Sequence, residues 1–317
     1  MVFGLIFVFI PVGAVAIPLG VLTKSTGIGV LTTSLMMVLE SACFYFLQTL
    51  YEVKKLKKSI NGNPVLKDVN LMVFKGEIYG FLGRNGAGKT TTLRIILGLL
   101  KRDGGEIKIF GENLSRGHFK KIGVMFEYET LNPEWTVLDN LKQTCYIYGI
   151  EDRKIYKYLD ILEFSRNDVY KKVKQLSKGM KRKISLINAI LPEPELLILD
   201  EPTSGLDPEM QLTIREILLE FKSQGKTILF SSHNLNEVQK ISDRIGLIKE
   251  GETLIEIQIK KELYLVEGNY PELLDNKVKN KDLYVVDEKV IKEFNIQKYQ
   301  AIKDIEELYI KIMGMEV

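Results

Sequence analysis

Residues 83–91 read Gly-Arg-Asn-Gly-Ala-Gly-Lys-Thr-Thr, which satisfies G-x-x-x-x-G-K-[ST] through Gly83, Gly88, Lys89 and Thr90. The flanks decide what this loop is. Glu77-Ile-Tyr-Gly-Phe-Leu82 has the composition of a buried strand, and after the loop Leu93, Ile96, Leu97 and Leu100 fall at i, i+3, i+4 and i+7, on one helix face. Strand, glycine loop, helix is the arrangement that holds a polyphosphate. Glycines let the backbone wrap phosphate oxygens without Cβ clashes, and the N–H groups of the helix start point at the anion along the helix dipole. Lys89 then supplies a point charge for the β- and γ-phosphates and Thr90 a hydroxyl for Mg²⁺, with Arg84, Asn85, Gly86, Ala87 and Thr91 completing the cradle.

Farther along, the apolar run Leu196-Leu-Ile-Leu199 ends in Asp200 and Glu201. A buried parallel strand has this composition, and its carboxyl end is where doubly wound sheets hold ligands. Asp200 is placed to hold Mg²⁺ through its water shell. Glu201 is placed to polarise the water that attacks the γ-phosphate, because phosphoryl transfer asks for a positioned nucleophile more than for covalent chemistry. An Asp-Glu pair carries little weight alone. Here LSKGMKRK starts at Leu176, SGLDP follows from Ser204, and His233 comes after two serines.

Together these five motifs, in this order over residues 53–251, resemble the nucleotide-binding subunit of ATP-binding-cassette (ABC) transporters. The resemblance implies an α/β P-loop NTPase fold with a parallel core sheet, an antiparallel β subdomain and a helical signature subdomain. It implies ATP and Mg²⁺, and a head-to-tail dimer in which the signature of one subunit, Leu176, Ser177, Lys178, Gly179 and Met180, closes on the γ-phosphate held by the other. It also implies that His233 contacts the γ-phosphate as a switch, that Asp207 couples the two sites, and that a separate membrane permease is the partner. The residues themselves go part of the way: LSKGM before an apolar helix offers Ser177 and backbone N–H groups at a helix start.

Three departures from the family pattern stand out. The signature's third and fifth positions, commonly glycine and glutamine, are Lys178 and Met180, a variant that looks like the branch exporting drugs, lipids and antimicrobial peptides. Glu127 aligns with the family's Mg²⁺-ligating glutamine; a carboxylate keeps the oxygen ligand and adds charge, as in transporters conferring lantibiotic immunity or resistance. Ile60 aligns with the aromatic residue on which the family stacks adenine, and an aliphatic face forgoes about 0.5–1.5 kcal/mol of stacking.

The chain ends differ from this middle. Residues 1–50 contain two charged side chains, Lys24 and Glu40, and the apolar stretches 1–23 and 28–51 are each long enough to span a bilayer. With Lys54, Lys55, Lys57 and Lys58 behind them, they are expected to form a two-helix membrane hairpin over 1–51, the cassette over 52–251 lying on the cytoplasmic side of a bacterial cell membrane. A fusion remnant of a permease's last hairpin is the competing reading, and a cleaved signal peptide lacks its basic start. Residues 252–317 mix short β runs with a final helical stretch, 302–313, and are expected to form a small accessory domain.

Formal net charge is +3, from 44 basic and 41 acidic residues, and no basic stripe stands out, so nucleic acid is not an expected partner. Cys43 and Cys145 are too few for a disulfide framework or zinc cluster and read as structural, and His118, in a polar stretch with no partner motif, reads as structural too. The leading function is an ATP-hydrolysing exporter subunit driving a separate permease for drugs or antimicrobial peptides. Lipid or wall-precursor export by the same mechanism, and signalling without transport, are the alternatives. A cassette ATPase acting on ribosomes or DNA would carry two cassettes or a coiled-coil insert.

Overall fold

The computed structural model describes residues 49–127, 130–259 and 262–313. The hairpin expected over 1–51 lies outside these except for its last three residues, and among the described residues no helix is long and apolar enough to cross a membrane. Those three residues open strand β1 (Thr49–Ile60), with Leu50 and Tyr51 buried and the Tyr51 hydroxyl donating to the Ile96 carbonyl. The cassette therefore begins inside the stretch first assigned to the second span; over so few residues a buried strand is as apolar as a membrane helix. Asn61 and Gly62 have φ of 51° and 80° and turn the chain into β2 (Asn63–Phe74). Two left-handed residues make the hairpin turn that matches strand twist, hence Asn-Gly.

Strand β3 (Ile78–Leu82), buried at every residue, feeds the glycine loop and helix α1 (Lys89–Ile96). Gly98, at φ 69°, follows the end of that helix, so Leu100 lies outside it while still packing on the same apolar cluster. Strands β4 (Gly104–Ile109) and β5 (Glu112–Asn113) come next, and β4 pairs with both β1 and β5, one place in from the sheet edge. After β6 (Ile122–Met125) the helical part comprises α2 (Val137–Tyr148), α3 (Arg153–Ile161) and α4 (Lys178–Ile190). Leu138, Leu141, Ile155 and Phe164 face its core as the spacing implies, but Tyr146 is 89% exposed. Then follow β7 (Leu196–Asp200), α5 (Pro208–Ser223), β8 (Thr227–Ser232), α6 (Leu235–Ile241), β9 (Arg244–Lys249) and β10 (Glu252–Gln258).

The ten strands form one sheet in the order β5-β4-β1-β2-β10-β9-β3-β8-β7-β6. From β9 to β6 all neighbours are parallel, and β3, β7 and β8 are buried along their whole length, as strands covered on both faces must be. Register aligns Leu82 with Ser232 and Asp200 with Ser231, so three chain segments leave the sheet at one level. The boundary read at Gly251 falls inside a β9–β10 hairpin: Glu250 and Gly251 have φ of 50° and 78°, and β10 is bonded between β2 and β9.

The accessory region holds β11 (Leu263–Glu267), β12 (Leu283–Asp287), α7 (Glu288–Glu293), β13 (Gln300–Ala301) and α8 (Ile305–Met313), with sheet order β12-β11-β13. Alternation divides it cleanly. Leu265, Leu283 and Val285 join the main core, whereas Val266, Tyr284 and Val286 pack with Ile291 of α7.

The amino end of the core sheet is sealed by buried charge. Glu77 accepts from the Phe74 N–H at 2.8 Å, Arg244 lies 4.0 Å from Glu77 and 3.9 Å from Glu256, and the Tyr79 hydroxyl donates to Glu256. Burial, opposed by the Phe74 N–H and by Arg244, pushes the Glu77 carboxyl up to about 7 from an ordinary 4.5. The folded state thus holds this proton more tightly than the unfolded chain does. Its stabilisation is complete below the ordinary value and is lost as pH rises through about 7. Between those limits stability is expected to drop by up to about 3 kcal/mol. Denaturant unfolding of wild type and Glu77→Gln across that range checks this: the variant's profile should be flatter, and identical slopes would exclude Glu77 as the source.

Candidate active site

The glycine loop is built by close approach. A Cβ on Gly83 would lie 2.6 Å from the Ile248 carbonyl oxygen, and Gly88, at φ 109°, would press one against Leu66. Only glycine fits both. The loop is braced from outside: Gly83 N–H donates to the Ser232 carbonyl at 3.2 Å, and Gly251 N–H donates to the Ala87 carbonyl at 3.0 Å. Arg84, Asn85 and Gly86 are exposed, Ala87 is buried, and Thr90 and Thr91 are half-buried in the first turn of α1. Lys89 is buried; its ammonium donates to the Gly83 carbonyl at 2.7 Å and more weakly to that of Arg84 at 3.3 Å, folding back over the loop it serves.

Glu201 stands opposite. It is 6% exposed, with φ at +49°, its Oε1 lies 3.1 Å from Lys89 Nζ as an ion pair without hydrogen-bond geometry, and its Oε2 is 2.7 Å from His233 Nδ1. An ionised carboxylate only accepts, so His233 Nδ1 carries the hydrogen. Asp200, just before it, accepts from the Ser231 hydroxyl at 2.6 Å through Oδ1, while its buried Oδ2 has no hydrogen-bond partner. Ser231 also accepts from the Glu201 N–H at 3.0 Å. One hydroxyl thus ties the Asp200 carboxylate to the Glu201 main chain. Among the described residues no group of three or more His, Cys, Asp or Glu forms a metal cage. Magnesium in phosphoryl-transfer sites uses one or two protein carboxylates plus the substrate's phosphates, which the unpartnered Asp200 oxygen suits.

The remaining expected residues fall elsewhere. Ser177 caps α4, its hydroxyl accepting from the Met180 N–H at 3.2 Å, so Lys178, Gly179 and Met180 form the helix's first turn. Ser177 and Lys178 are exposed, Leu176 is buried, and the Lys178 side chain lies over Gly205, two residues before Asp207. Asp207 caps α5 by accepting from the Met210 N–H at 2.9 Å. Signature and Asp207 loop therefore make a second, adjacent group. Glu127 is exposed two residues beyond β6, on a loop tied to α4 by Arg182, which donates to the Phe126 carbonyl at 2.9 Å. Ile60, at the end of β1, is 40% exposed. His118 is structural: its Nδ1 accepts from the Ser115 N–H at 3.1 Å. Cys145 is buried and free; Cys43 lies outside the described residues.

Sequence reasoning missed Ser231, Glu237 and Arg182. Glu237, buried on α6, accepts from the Thr203 hydroxyl at 2.5 Å and the Ser232 hydroxyl at 2.9 Å. Burial raises its carboxyl above the usual range, those two hydrogen bonds oppose the shift, and Glu201 adds to it. Two serines before a histidine, with a glutamate four residues beyond it, were in plain view; which carboxylate each hydroxyl meets depends on strand adjacency.

A strand-ended carboxylate pair facing a glycine-loop lysine defines a P-loop nucleotide hydrolase, and comparison narrows the class. The ABC transporter family model matches residues 66–204, and an AAA-domain model matches 172–239. The lantibiotic transport ATP-binding protein SrtF of Streptococcus pyogenes is 38% identical over 72% of this chain and 96% of its own length. The bacitracin transport ATP-binding protein BcrA of Bacillus licheniformis is 39% identical over 67% and 70%. Among solved structures, an ATP-binding subunit of an ABC transporter superposes with TM-score 0.65 at 27% identity, covering 84% of this chain and all of that one. A dimeric bacterial ABC transporter cassette superposes with TM-score 0.62 at 26% identity, covering 66% and 99%. The chain belongs to the ATP-binding subunits of ABC transporters, and its activity is ATP hydrolysis.

Ser231→Ala leaves Asp200 Oδ1 and the Glu201 N–H without their shared partner. It is expected to cost about 1–3 kcal/mol of stability in urea unfolding, the price of buried polar groups left unmade. A loss below about 0.5 kcal/mol would mean that water replaces the hydroxyl.

Proposed function

We propose that the chain hydrolyses ATP with Glu201 as the base that positions the attacking water, closing and reopening a head-to-tail dimer that drives a separate permease for lantibiotic- or bacitracin-class peptides. One observation supports this above the others: Glu201 is held between Lys89 and His233 while Asp200, beside it, keeps a buried oxygen unpartnered. A carboxylate so held has one face fixed by the lysine of the phosphate loop and the other by an imidazole. His233 both orients it and is able to take up a hydrogen bond to a phosphate oxygen in its stead. The Gly83–Thr91 loop binds the triphosphate, Lys89 balances its charge, and backbone N–H groups at the start of α1 orient it.

Asp200, Thr90 and Glu127 would hold the magnesium that comes with the nucleotide, which would neutralise charge on the phosphates. The exposed Ser177 and Lys178 at the start of α4 offer a helix terminus and a cation to the nucleotide of a second copy, and Asp207 stands beside them to couple the sites. A dimeric relative of the same fold supports that assembly. Exposed Trp135 and Tyr146 beside Asp139 and Lys142 give the helical part a face for the permease, next to the loop carrying Glu127. The peptide cargo rests on SrtF and BcrA and on Lys178, Met180 and Glu127. The site then faces the cytoplasm of a bacterial cell, and residues 1–48, nearly free of charge, serve as its anchor.

Glu201→Gln should retain ATP binding and dimerisation while turnover falls by about a hundredfold or more. In cells, that variant should lose protection against a narrow set of lantibiotics or bacitracin-like peptides. Undiminished turnover removes Glu201 from its role, and a panel that separates no strains points to lipid or wall-precursor export instead. With Ile60 where an aromatic residue would stack on adenine, ATP and GTP are expected to be hydrolysed at similar rates; a strong ATP preference in side-by-side kinetics contradicts that placement.

A further inference from the structure

Two loops carry the Glu201–His233 pair, and neither is part of the sheet. Glu201-Pro202-Thr203 follows β7, and His233-Asn234 follows Ser232 at the end of β8. We infer that Glu237 is a positioning residue for ATP hydrolysis: its buried carboxylate ties these two loops together and so sets the distance between Glu201 and His233. The inference rests on Glu201 and His233 acting in turnover as proposed above.

The hydrogen bookkeeping leaves little freedom. Ser232 Oγ accepts from the Asn234 N–H at 2.9 Å, so its single hydrogen goes to Glu237 Oε2, also at 2.9 Å. Thr203 has one hydroxyl hydrogen, and it goes to Glu237 Oε1 at 2.5 Å. One carboxylate oxygen therefore takes the loop after β7, and the other takes the end of β8, where the Ser232 hydroxyl holds the Asn234 N–H of the next loop. Glu237 is itself fixed, because the Asn234 side chain accepts from its N–H at 3.3 Å and caps α6. Glu237, Thr203 and Ser232 are all under 8% exposed, so water has little access to replace these bonds. The glutamate acts through Thr203 and Ser232, on the loops that hold the base and its imidazole.

Burying a carboxylate beside Glu201, which is also buried, is costly. An apolar side chain would pack α6 as well without that cost. What the carboxylate adds is two acceptors on one rigid plane, spanning Thr203 and Ser232, 29 residues apart in the chain. An amide in its place offers one acceptor and two donors, so one hydroxyl must turn its hydrogen elsewhere and accept instead, and a charge-assisted bond on that side is exchanged for a weaker neutral one.

Steady-state kinetics on the full-length chain test this with Glu237→Gln, Thr203→Val, Thr203→Ser, the double variant Glu237→Gln/Thr203→Val, and Glu201→Gln as reference. Glu237→Gln and Thr203→Val should each lower kcat by about tenfold with KM for ATP within about twofold, the usual scale for residues that orient reacting groups. Thr203→Ser, which keeps the hydroxyl, should restore kcat. The double variant should be no slower than the slower single. Wild-type kcat in Glu237→Gln, additive losses in the double variant, or a loss that only follows the folded fraction in thermal melts would overturn the tie. If Glu201→Gln itself turns over normally, the site assignment fails instead, and the two failures are told apart.

Discussion

Glu201 leaves β7 with φ at +49°, a backbone conformation that costs a residue with a side chain about 1–3 kcal/mol. The surroundings over-determine it. Its N–H is held by Ser231 on β8, one carboxylate oxygen by Lys89 from the loop after β3, and the other by His233 from the loop after β8. A buried carboxylate survives in a low-dielectric interior only when paired and hydrogen-bonded, so each partner is a condition for the others. Without Lys89 the charge is uncompensated; without Ser231 the strained turn loses its anchor.

That convergence depends on the register of the parallel sheet. Because Leu82 lies opposite Ser232 and Asp200 opposite Ser231, the glycine loop, the carboxylates and the histidine emerge at one level. Slipping β7 by one residue against β8 would turn Asp200 to the other face and lose the Ser231 bridge. The antiparallel strands brace the same loop from outside: the β9–β10 turn donates from Gly251 to Ala87, and its Gly251 carbonyl accepts from Lys67 at 2.8 Å. Geometry at the phosphate loop is thus shared between the two halves of the sheet, although only one half carries its residues.

What the amino-acid sequence disclosed follows from range. Lys89 lies six residues from the carbonyl it bonds, and Asp200 ends an unbroken apolar run, so both could be read locally. Ser231 reaches Asp200 across 31 residues, Thr203 reaches Glu237 across 34, and Arg182 reaches the Glu127 loop across 56, contacts that exist only once strand order is known. An aromatic at helical spacing looks like core, yet Tyr146 sits on the outer face of α2. Strands β1 and β10 extend the sheet a few residues beyond the range of the motifs, because pairing with β4, β2 and β9 rather than any motif fixes where they start and stop.

The accessory region is not a separate body appended to the cassette. Its inward residues Leu265, Val285, Ile305, Leu308 and Ile312 belong to the same apolar cluster as Leu199 and Phe230 of the core strands. Helix α8 packs on α6, the short helix that carries Glu237, and its end is held where Lys249 donates to the Met313 carbonyl at 3.3 Å. Met313 in turn lines a cavity of about 510 Å³ with Arg84, Asn85 and Gly86 of the glycine loop. A helix of seven residues has little stability of its own in water, so α6 keeps its place through what packs on it. The C-terminal residues that showed no chemistry in sequence therefore help hold the helix from which Glu237 reaches both catalytic loops.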